Sequence, residues 1–367
     1  MKVKSLIFLL VVLLVAMPVF IGLGCAPAEE PAAPAEPGEA PKAPEAPAAP
    51  VETPDPITLE LTDTNAPDHV LVHAGDLFKE LVEERSGGEI LIERYRSGEL
   101  YDPRAEIEAL EVGSIAMAIA HVAFVGGHSP ALEFISSFGA QGIWEDKDHY
   151  YNFIDNPEIR EIAAREFEEK INSKLLGMLS YGTSVFVSRE TPVRTVEDYQ
   201  GQRARAAGTA QAEMYRALGT SPVDLSIGEV YMALERGTIE AFCTGPCRTY
   251  LGGFYEVAPY VTQDGTSPEL IFWLAINLDK WNQLTADQQQ LLEEVAWEVE
   301  LFSRERALAD EEKYYELLSE VAEVIILPEE ERAKIREIVE PVMKDLFFER
   351  ADAETAEKLW SLMEAAR

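Results

Sequence analysis

Short apolar runs alternate with stretches of helical spacing from residue 57 onward. Residues 58–61 alternate polar and apolar side chains, which predicts a strand, and the next apolar rhythm predicts a helix that ends near Arg85, before Gly87. Further strands are predicted at residues 90–95, 115–120, 175–180, 185–188, 202–206, 238–243 and 273–276. Because helices separate most of these strands, the sequence predicts an α/β fold built from parallel β-α-β units.

The pattern becomes continuously helical at Thr285. Thr285 and Gln288 have the spacing of a helix capping box, and apolar residues then recur at helical intervals past Ala307. The sequence predicts one helix from about residue 285 to 322, which is longer than a single lobe of this size is wide. Such a helix either protrudes from the fold or lies across two lobes. A last helical stretch is predicted to begin at Pro328 and to continue to the last residues of the sequence.

The first 56 residues have the composition of a targeting segment rather than of a folded domain. Lys2 and Lys4 precede an apolar run over residues 6–23, and Cys25 follows it closely. Residues 26–56 are almost wholly Ala, Pro and Glu, which cannot bury a core and therefore predict a disordered tether.

This arrangement resembles a bacterial lipoprotein signal. The resemblance implies that residues 1–25 are a signal peptide ending at Cys25, and that an acylated Cys25 anchors the chain to a membrane. The alternative is an uncleaved signal anchor, because the apolar run nearly reaches the length that spans a bilayer. Both interpretations place residues 57–367 outside the cytoplasm.

The charge of the chain restricts its partners. The sequence has 66 acidic and 31 basic residues and a formal net charge of -35. Such a chain is repelled by nucleic acid and by anionic membrane surfaces, so neither is predicted as a partner. If the ligand is an anion, a few cationic groups in a cleft must attract it locally.

The cysteines and histidines predict neither a disulfide framework nor a metal site. Three cysteines are too few for a disulfide-stabilised miniprotein or the usual four-ligand zinc ribbon. Cys243 and Cys247 are close enough in sequence for a small disulfide, and free buried thiols are the alternative. His69 and His73 share helical spacing but lack a His-Glu-x-x-His pattern, so no metal is expected.

Residues 192–300 contain glycine, aromatic, apolar and charged residues in a distinctive order. The series comprises Val193, Glu197, Asp198, Gly201, Arg203, Arg205, Leu218, Gly219, Pro222, Val223, Glu229, Val230, Tyr231, Ala233, Leu234, Gly237, Ile239, Glu240, Phe254, Tyr255, Glu256, Val257, Tyr260, Asn277, Trp281 and Leu284. It resembles the solute-binding proteins of tripartite ATP-independent periplasmic (TRAP) transporters, of the dicarboxylate-binding type. A looser match before it extends the resemblance over residues 57–325.

The resemblance implies a two-lobed periplasmic-binding-protein fold of the Venus flytrap type, with one long helix spanning both lobes. Residues 57–181 and about 271–305 are expected to form the first lobe. Residues 182–270 and about 306–367 are expected to form the second lobe, the remainder of the spanning helix and the C-terminal helices. The overlong helix predicted above fits this arrangement.

The resemblance also implies a function. The lobes are expected to close over a small organic acid, a carboxylate, and the closed form is expected to deliver it to a TRAP membrane permease. A sensory or scavenging lipoprotein with the same lobes is one alternative, and an extracytoplasmic α/β hydrolase is another. No nucleophile elbow, phosphate loop or dinucleotide glycine pattern occurs, so we expect neither an enzyme nor a cofactor.

Arg205 is the first candidate ligand contact. The resemblance implies that Arg205 pairs with the ligand carboxylate, and guanidinium is suited to this because its rigid fork matches two carboxylate oxygens. The alternative is a surface arginine on a strand. Arg203 lies two residues earlier on the same strand face and provides an internal control.

Six further residues are expected near the ligand by their positions in the resemblance or at the ends of predicted strands: Thr244, Trp273, Tyr231, Tyr181, Asn65 and His69. The family commonly has Asn at the position of Thr244, whose hydroxyl can still donate one hydrogen bond. Aromatic walls with a polar edge suit a binding pocket. The alternatives are a turn role for Thr244, core positions for the aromatic residues, and helix-capping roles for Asn65 and His69.

Overall fold

The computed structural model describes residues 55–367, so the predicted signal peptide, Cys25 and most of the predicted tether lie outside the described residues. Within the described part the chain forms eleven strands and thirteen α-helices. The strands are β1 (Ile57–Thr62), β2 (Ile90–Tyr95), β3 (Met117–Ala120), β4 (Ser173–Gly182), β5 (Val185–Ser188), β6 (Arg203–Ala206), β7 (Ser221–Asp224), β8 (Ala241–Thr244), β9 (Tyr260–Gln263), β10 (Leu270–Asn277) and β11 (Glu323–Ile326). The helices are α1 (Val70–Arg85), α2 (Pro103–Glu111), α3 (Val122–Val125), α4 (Pro130–Ile135), α5 (Lys147–Ile154), α6 (Pro157–Ile171), α7 (Thr209–Ala217), α8 (Val230–Glu235), α9 (Pro246–Leu251), α10 (Leu278–Trp281), α11 (Ala286–Val321), α12 (Glu329–Arg350) and α13 (Ala353–Ala365).

The strands form two sheets. The first has the order β2-β1-β3-β10-β4, and the second has the order β11-β9-β5-β8-β6-β7. β1 is parallel to β2 and β3, and β6 is parallel to β7 and β8. β10 and β5 are antiparallel to both of their neighbours. The sheets are therefore mixed, which corrects the expectation of purely parallel units, because the chain reverses direction where it passes from one sheet to the other.

Each sheet is the centre of one lobe. We call residues 57–182 and 270–277 the first lobe and residues 185–263 and 323–326 the second lobe. The chain leaves the first sheet after β4 and returns to it at β10. The two crossings and the long helix α11 are the covalent connections between the lobes.

Helix α11 confirms the predicted overlong helix. It has 36 residues and begins after Thr285, whose side chain forms the predicted capping box with Gln288. At 1.5 Å per residue it is about 54 Å long. It packs against β4 and α1 in the first lobe and against α9 and β11 in the second. Among residues 55–367, no helix has the length together with the apolar character that crossing a bilayer requires.

The C-terminal helices differ from the prediction that assigns residues 306–367 to the second lobe. α12 packs against α7 of the second lobe but also against α4 of the first. α13 packs against α4 and α5, and Trp360 in α13 lies 6.0 Å from Phe134 in α4, measured between ring centroids. The buried apolar face of α13 therefore completes the core of the first lobe, where hydrophobic contacts hold it.

Candidate functional site

A cavity lies between the two lobes, beside the carboxyl ends of β1, β3, β6 and β8. It contains about 610 Å³ of space free of protein atoms, part of it open to solvent. Its polar lining includes two arginines, a histidine and three amides: Arg205, Arg248, His121, Asn65, Gln141 and Gln211. No aspartate or glutamate lines it within the described part of this strongly acidic chain. The cavity is therefore suited to an anion.

Arg205 lies where the sequence predicts a ligand contact. It occupies the third position of β6 and is 8 % exposed. Its Nε donates to the backbone oxygen of Leu225 at 3.0 Å, which fixes the direction of the guanidinium. Burial lowers the pKa of Arg205, and the charge of Arg248 acts in the same direction. Among residues 55–367 it has no ion-pair partner within 4.0 Å, so the outer edge of its fork is available to a carboxylate.

Arg203 makes different contacts on the same strand. Its side chain is 47 % exposed, forms an ion pair with Glu240 at 3.1 Å and donates to the backbone oxygen of Gly237 at 2.9 Å. Arg203 does not line the cavity. Arg205 therefore lies at the cavity, whereas Arg203 forms an ion pair on the surface, and Arg203 can serve as a control for Arg205.

Arg248 is a second cavity cation that the sequence did not single out. It is the third residue of α9, after Pro246 and Cys247, and it is half-buried. Its positive charge lowers the pKa of both His69 and His121, after burial, and also that of Arg205. Its position depends on the short helix α9, which no strong sequence pattern predicted.

The histidines beside the cavity are held neutral. Burial, followed by repulsion from Arg205 and Arg248, lowers the pKa of His121 to about 3. Burial and the charge of Arg248 also lower the pKa of His69 to about 3. The Nδ1 atoms of both rings accept backbone N–H groups, so His121 caps α3 and His69 caps α1. Because the imidazoles are neutral, they do not change the positive charge that Arg205 and Arg248 give the cavity.

Amide side chains from both lobes meet at the cavity. Gln141 in the first lobe receives a hydrogen bond from Gln211 in the second, at 3.3 Å. Asn65, predicted as a ligand contact in the loop after β1, is 3 % exposed, and its Nδ2 has no hydrogen-bond partner among the described residues. A buried donor without a partner costs free energy, and a ligand oxygen in the cavity would satisfy it.

Tyr181 and Thr244 also line the cavity, as the sequence predicts they could. Their hydroxyl oxygens are 3.5 Å apart, and the Tyr181 ring stacks on Phe272 with 5.2 Å between centroids. The backbone N–H of Gly245 donates to the Tyr181 hydroxyl at 3.2 Å. A side chain at Gly245 would place its Cβ 3.0 Å from the Tyr181 ring, so the ring would have to shift by a few tenths of an ångström to accommodate it.

The structure does not bring Trp273, Tyr231 or His69 to the cavity. Trp273 is fully buried and packs edge-to-face on Phe167, behind the first sheet. Strand neighbours point to opposite faces, so Phe272 rather than Trp273 faces the cavity. The Tyr231 hydroxyl donates a hydrogen bond to Glu256 at 2.9 Å on the second lobe. The His69 ring lies beside the cavity, with its centroid 4.4 Å from that of Tyr181. The sequence had placed all three near the ligand.

Cys243 and Cys247, whose pairing the sequence left open, are free thiols. Cys243 is the penultimate residue of β8, before Thr244, and lines the cavity, whereas Cys247 lies in α9. Burial raises the pKa of the Cys247 thiol to about 11 and raises that of Cys243 further. Both therefore behave as buried neutral side chains rather than nucleophiles. Among residues 55–367, no group of three or more His, Cys, Asp or Glu side chains is arranged to hold a metal ion.

A larger groove nearby has a different character. It contains about 1550 Å³ of atom-free space and is open to solvent along α3, α7 and α12. Basic and acidic side chains both line it, and several are paired with each other, including Arg350 with Glu133 at 2.6 Å and Arg216 with Glu213. Because basic and acidic side chains are mixed along it, this groove lacks the purely cationic lining of the smaller cavity.

The comparison with protein families agrees with the cavity's character. Residues 61–350 match the model of a family described as bacterial extracellular solute-binding protein, family 7. The chain is also 27 % identical over 311 residues to the C4-dicarboxylate-binding periplasmic protein DctP of Rhodobacter capsulatus. That alignment covers 82 % of this chain and 89 % of the relative.

Solved structures share the fold. A TRAP periplasmic solute-binding protein from Desulfovibrio salexigens with bound orotic acid has a TM-score of 0.77 and 22 % identity, over 84 % of this chain and 98 % of the other. One from Sulfitobacter with bound β-D-galacturonate has a TM-score of 0.74 and 20 % identity, over 83 % and 99 %. These similarities confirm the predicted two-lobed α/β fold.

Proposed function

Because the chain belongs to family 7 of the bacterial extracellular solute-binding proteins, we propose that it captures a small organic acid outside the cytoplasm and delivers it to a TRAP-type secondary transporter. Members of this family bind solutes and are not enzymes. The observation that supports the proposal most strongly is an interlobe cavity that two arginines line and that no acidic residue within positions 55–367 lines. The similar proteins with orotic acid and galacturonate bind acids, which agrees with this choice of ligand class.

The proposed binding step places the ligand carboxylate on Arg205. The guanidinium donates two parallel hydrogen bonds, and the buried setting strengthens them relative to a surface pair. Asn65 and Thr244 contribute polar groups from the first and second lobes. Contacts from both lobes to one ligand favour the closed arrangement of the lobes, because the ligand binds that arrangement better than an open one.

A thermal-shift screen tests the ligand class. Carboxylates that bind the folded state should raise the melting temperature in a concentration-dependent way, whereas neutral sugars and metal ions should not. Arg205→Ala should abolish the shift for the acid that binds, and Arg203→Ala should retain it. If neutral sugars or metals produced the shift and no carboxylate did, the proposed ligand class would be wrong.

Delivery to a permease is a separate step with its own test. Membrane vesicles that contain the cognate TRAP permease subunits should accumulate the identified acid only when this protein is added. Uptake that is independent of the protein would favour the sensory or scavenging alternative over transport.

We also propose that Cys25 carries a lipid anchor. The basis is the pattern of Lys2, the apolar run over residues 6–23 and the Ala/Pro/Glu segment that follows. The intact chain should fractionate with membranes and incorporate labelled fatty acid, and Cys25→Ala should lose the label. Label that persists in Cys25→Ala would exclude this residue as the anchor point.

A further inference from the structure

The loop that brings Asn65 to the cavity is held by two side chains that do not themselves line the cavity. Asn65 lines it, and the buried Nδ2 of Asn65 has no acceptor among residues 55–367. The backbone N–H of Asn65 donates to the Asp63 carboxylate at 3.1 Å, and its backbone oxygen accepts from the Ser97 hydroxyl at 2.9 Å. Both backbone polar groups of Asn65 are therefore fixed by side chains, one from Asp63 and one from Ser97.

The two supports differ in what else they do. Asp63 has a fully buried carboxylate that pairs with Arg94 at 2.5 Å, and its backbone N–H donates to the backbone oxygen of Tyr95 at 3.0 Å. A change at Asp63 would therefore disturb the core of the first lobe together with the loop. Ser97 is exposed, and the one hydrogen bond of its side chain among the described residues is the bond to Asn65.

Ser97 also has a backbone conformation that serine rarely adopts. Its φ is 53° and that of Gly98 is 80°, so both central residues of the turn from Arg96 to Glu99 are left-handed. Hairpin turns with this pattern favour Asn or Gly at the first central position, because a Cβ is sterically unfavourable there. Ser97 is one of three non-glycine residues with positive φ within the part of the chain that the structure describes.

This strained turn contacts the Asn65 loop at two points. The backbone N–H of Gly98 donates to the backbone oxygen of Asp63 at 3.0 Å, and the Ser97 hydroxyl reaches the oxygen of Asn65. Glycine at position 97 would adopt the same backbone conformation without the steric cost, but it would lack the hydroxyl. Strain in an exposed residue that core packing does not require indicates a functional constraint. The one side-chain contact that the strained conformation provides is the bond to Asn65.

We propose that Ser97 is a positioning residue for acid capture, because its hydroxyl holds the backbone of Asn65 so that the Asn65 amide is preorganised toward a ligand oxygen. This inference rests on the proposed function and adds a residue that does not touch the ligand. Without the bond, the loop after β1 gains alternative conformations, and binding must order it again at a cost in affinity. The effect of Ser97 on binding is therefore exerted through Asn65.

A double-mutant cycle tests this dependence. Titration calorimetry on the purified full-length protein uses the tightest-binding member of a panel of carboxylates that includes succinate, galacturonate and orotate. Ser97→Ala should weaken its binding by about 3–10-fold, the loss expected when one hydrogen bond to a ligand is no longer made reliably. In the Asn65→Ala background, where Arg205 still pairs with the acid, Ser97→Ala should change the affinity by less than about twofold.

Two further variants distinguish positioning from a general loss of stability. Ser86→Ala is the matched control, because Ser86 lies before the other end of β2 and its hydroxyl accepts the backbone N–H of Ile90 at 3.1 Å. It should lower the melting temperature at least as much as Ser97→Ala and leave the affinity within about twofold of wild type. Ser97→Gly removes the hydroxyl and the strain together, so it should melt higher than Ser97→Ala and yet bind no more tightly.

The outcomes separate this inference from the proposed function. Wild-type affinity in Ser97→Ala and Ser97→Gly would overturn the positioning role and leave acid capture standing. A loss of the same size in the wild-type and Asn65→Ala backgrounds would also overturn it, because Ser97 would then act independently of Asn65. Failure of the wild-type protein to bind any carboxylate of the panel would overturn the inference together with the proposed function.

Discussion

Two regions of the molecule bury an arginine in opposite ways. In the first lobe, the side chain of Arg94 is 3 % exposed and donates to Asp63, a carboxylate with no exposed surface, at 2.5 Å. In the interlobe cavity, Arg205 is 8 % exposed, and the only hydrogen-bond acceptor of its side chain among the described residues is the backbone oxygen of Leu225. A buried arginine that stabilises the fold pairs with a carboxylate of the protein itself. We infer that the cavity arginine receives its counterion from the ligand.

The first-lobe pair should give the largest stability effect. Asp63→Asn removes the nearest counterion of Arg94 and leaves a buried charge, so the free energy of unfolding should fall by about 3–5 kcal/mol. Glu298→Gln is the control, because Glu298 pairs with the exposed Arg85 and should cost at most about 1 kcal/mol. Urea denaturation measures both values. Equal losses in the two variants would show that the Arg94–Asp63 pair is not a structural counterion pair.

A buried acid in the same lobe extends the comparison to pH. Glu106 is fully buried without a hydrogen-bond partner among residues 55–367, and burial raises its pKa to about 8. Between about pH 4.5 and 8 the unfolded chain therefore loses this proton while the folded chain keeps it. The contribution of Glu106 to stability should fall as pH rises through that interval, by up to a few kcal/mol.

Glu106→Gln tests this pH dependence. The amide cannot ionise, so the slope of unfolding free energy against pH should become less negative between pH 5 and 8. Glu108→Gln, an exposed change in the same helix, should keep the wild-type slope. A slope that is unchanged in Glu106→Gln would mean that the side chain ionises in the folded protein as it does in water.

The smallest expected effect is a change in acid affinity that distinguishes a tyrosine at the cavity from one that lies elsewhere. Tyr181→Phe removes the hydroxyl that accepts the Gly245 N–H at the cavity edge, and acid binding should weaken several-fold, as loss of one hydrogen bond predicts. Tyr231→Phe removes a bond to Glu256 on the lobe surface and should leave the affinity within about twofold of wild type. Calorimetric titration with the identified acid measures both. A larger loss of affinity in Tyr231→Phe than in Tyr181→Phe would show that Tyr231 contributes to ligand binding.

The sequence predicted the parts of the fold that depend on local patterns. The strand at Ile90–Tyr95 and the capping box at Thr285 follow from apolar alternation and from side-chain hydrogen bonds within one turn. The helices between residues 122 and 171 were not predicted. Several of them are short, although Ser129-Pro130 and Asn156-Pro157 have the pattern of helix starts.

The site was less predictable because it depends on tertiary packing. Arg205 was found through its position in a strand and a resemblance, but nothing local distinguishes Arg248 from a surface arginine. Trp273 and Phe272 are adjacent in a strand buried on both faces, so apolar alternation could not show which one faces the cavity. The correct choice depends on the packing of α6 behind the first sheet, which brings Phe167 onto Trp273.

The melting temperature of Arg205→Gln, with and without the identified acid, tests the central claim most directly. Without ligand, we predict a value no lower than that of the wild-type protein, because the change removes an unpaired buried charge. With ligand, we predict none of the wild-type increase. A variant that melts lower than wild type on its own and is still stabilised by the acid would show that Arg205 serves the fold and not the ligand.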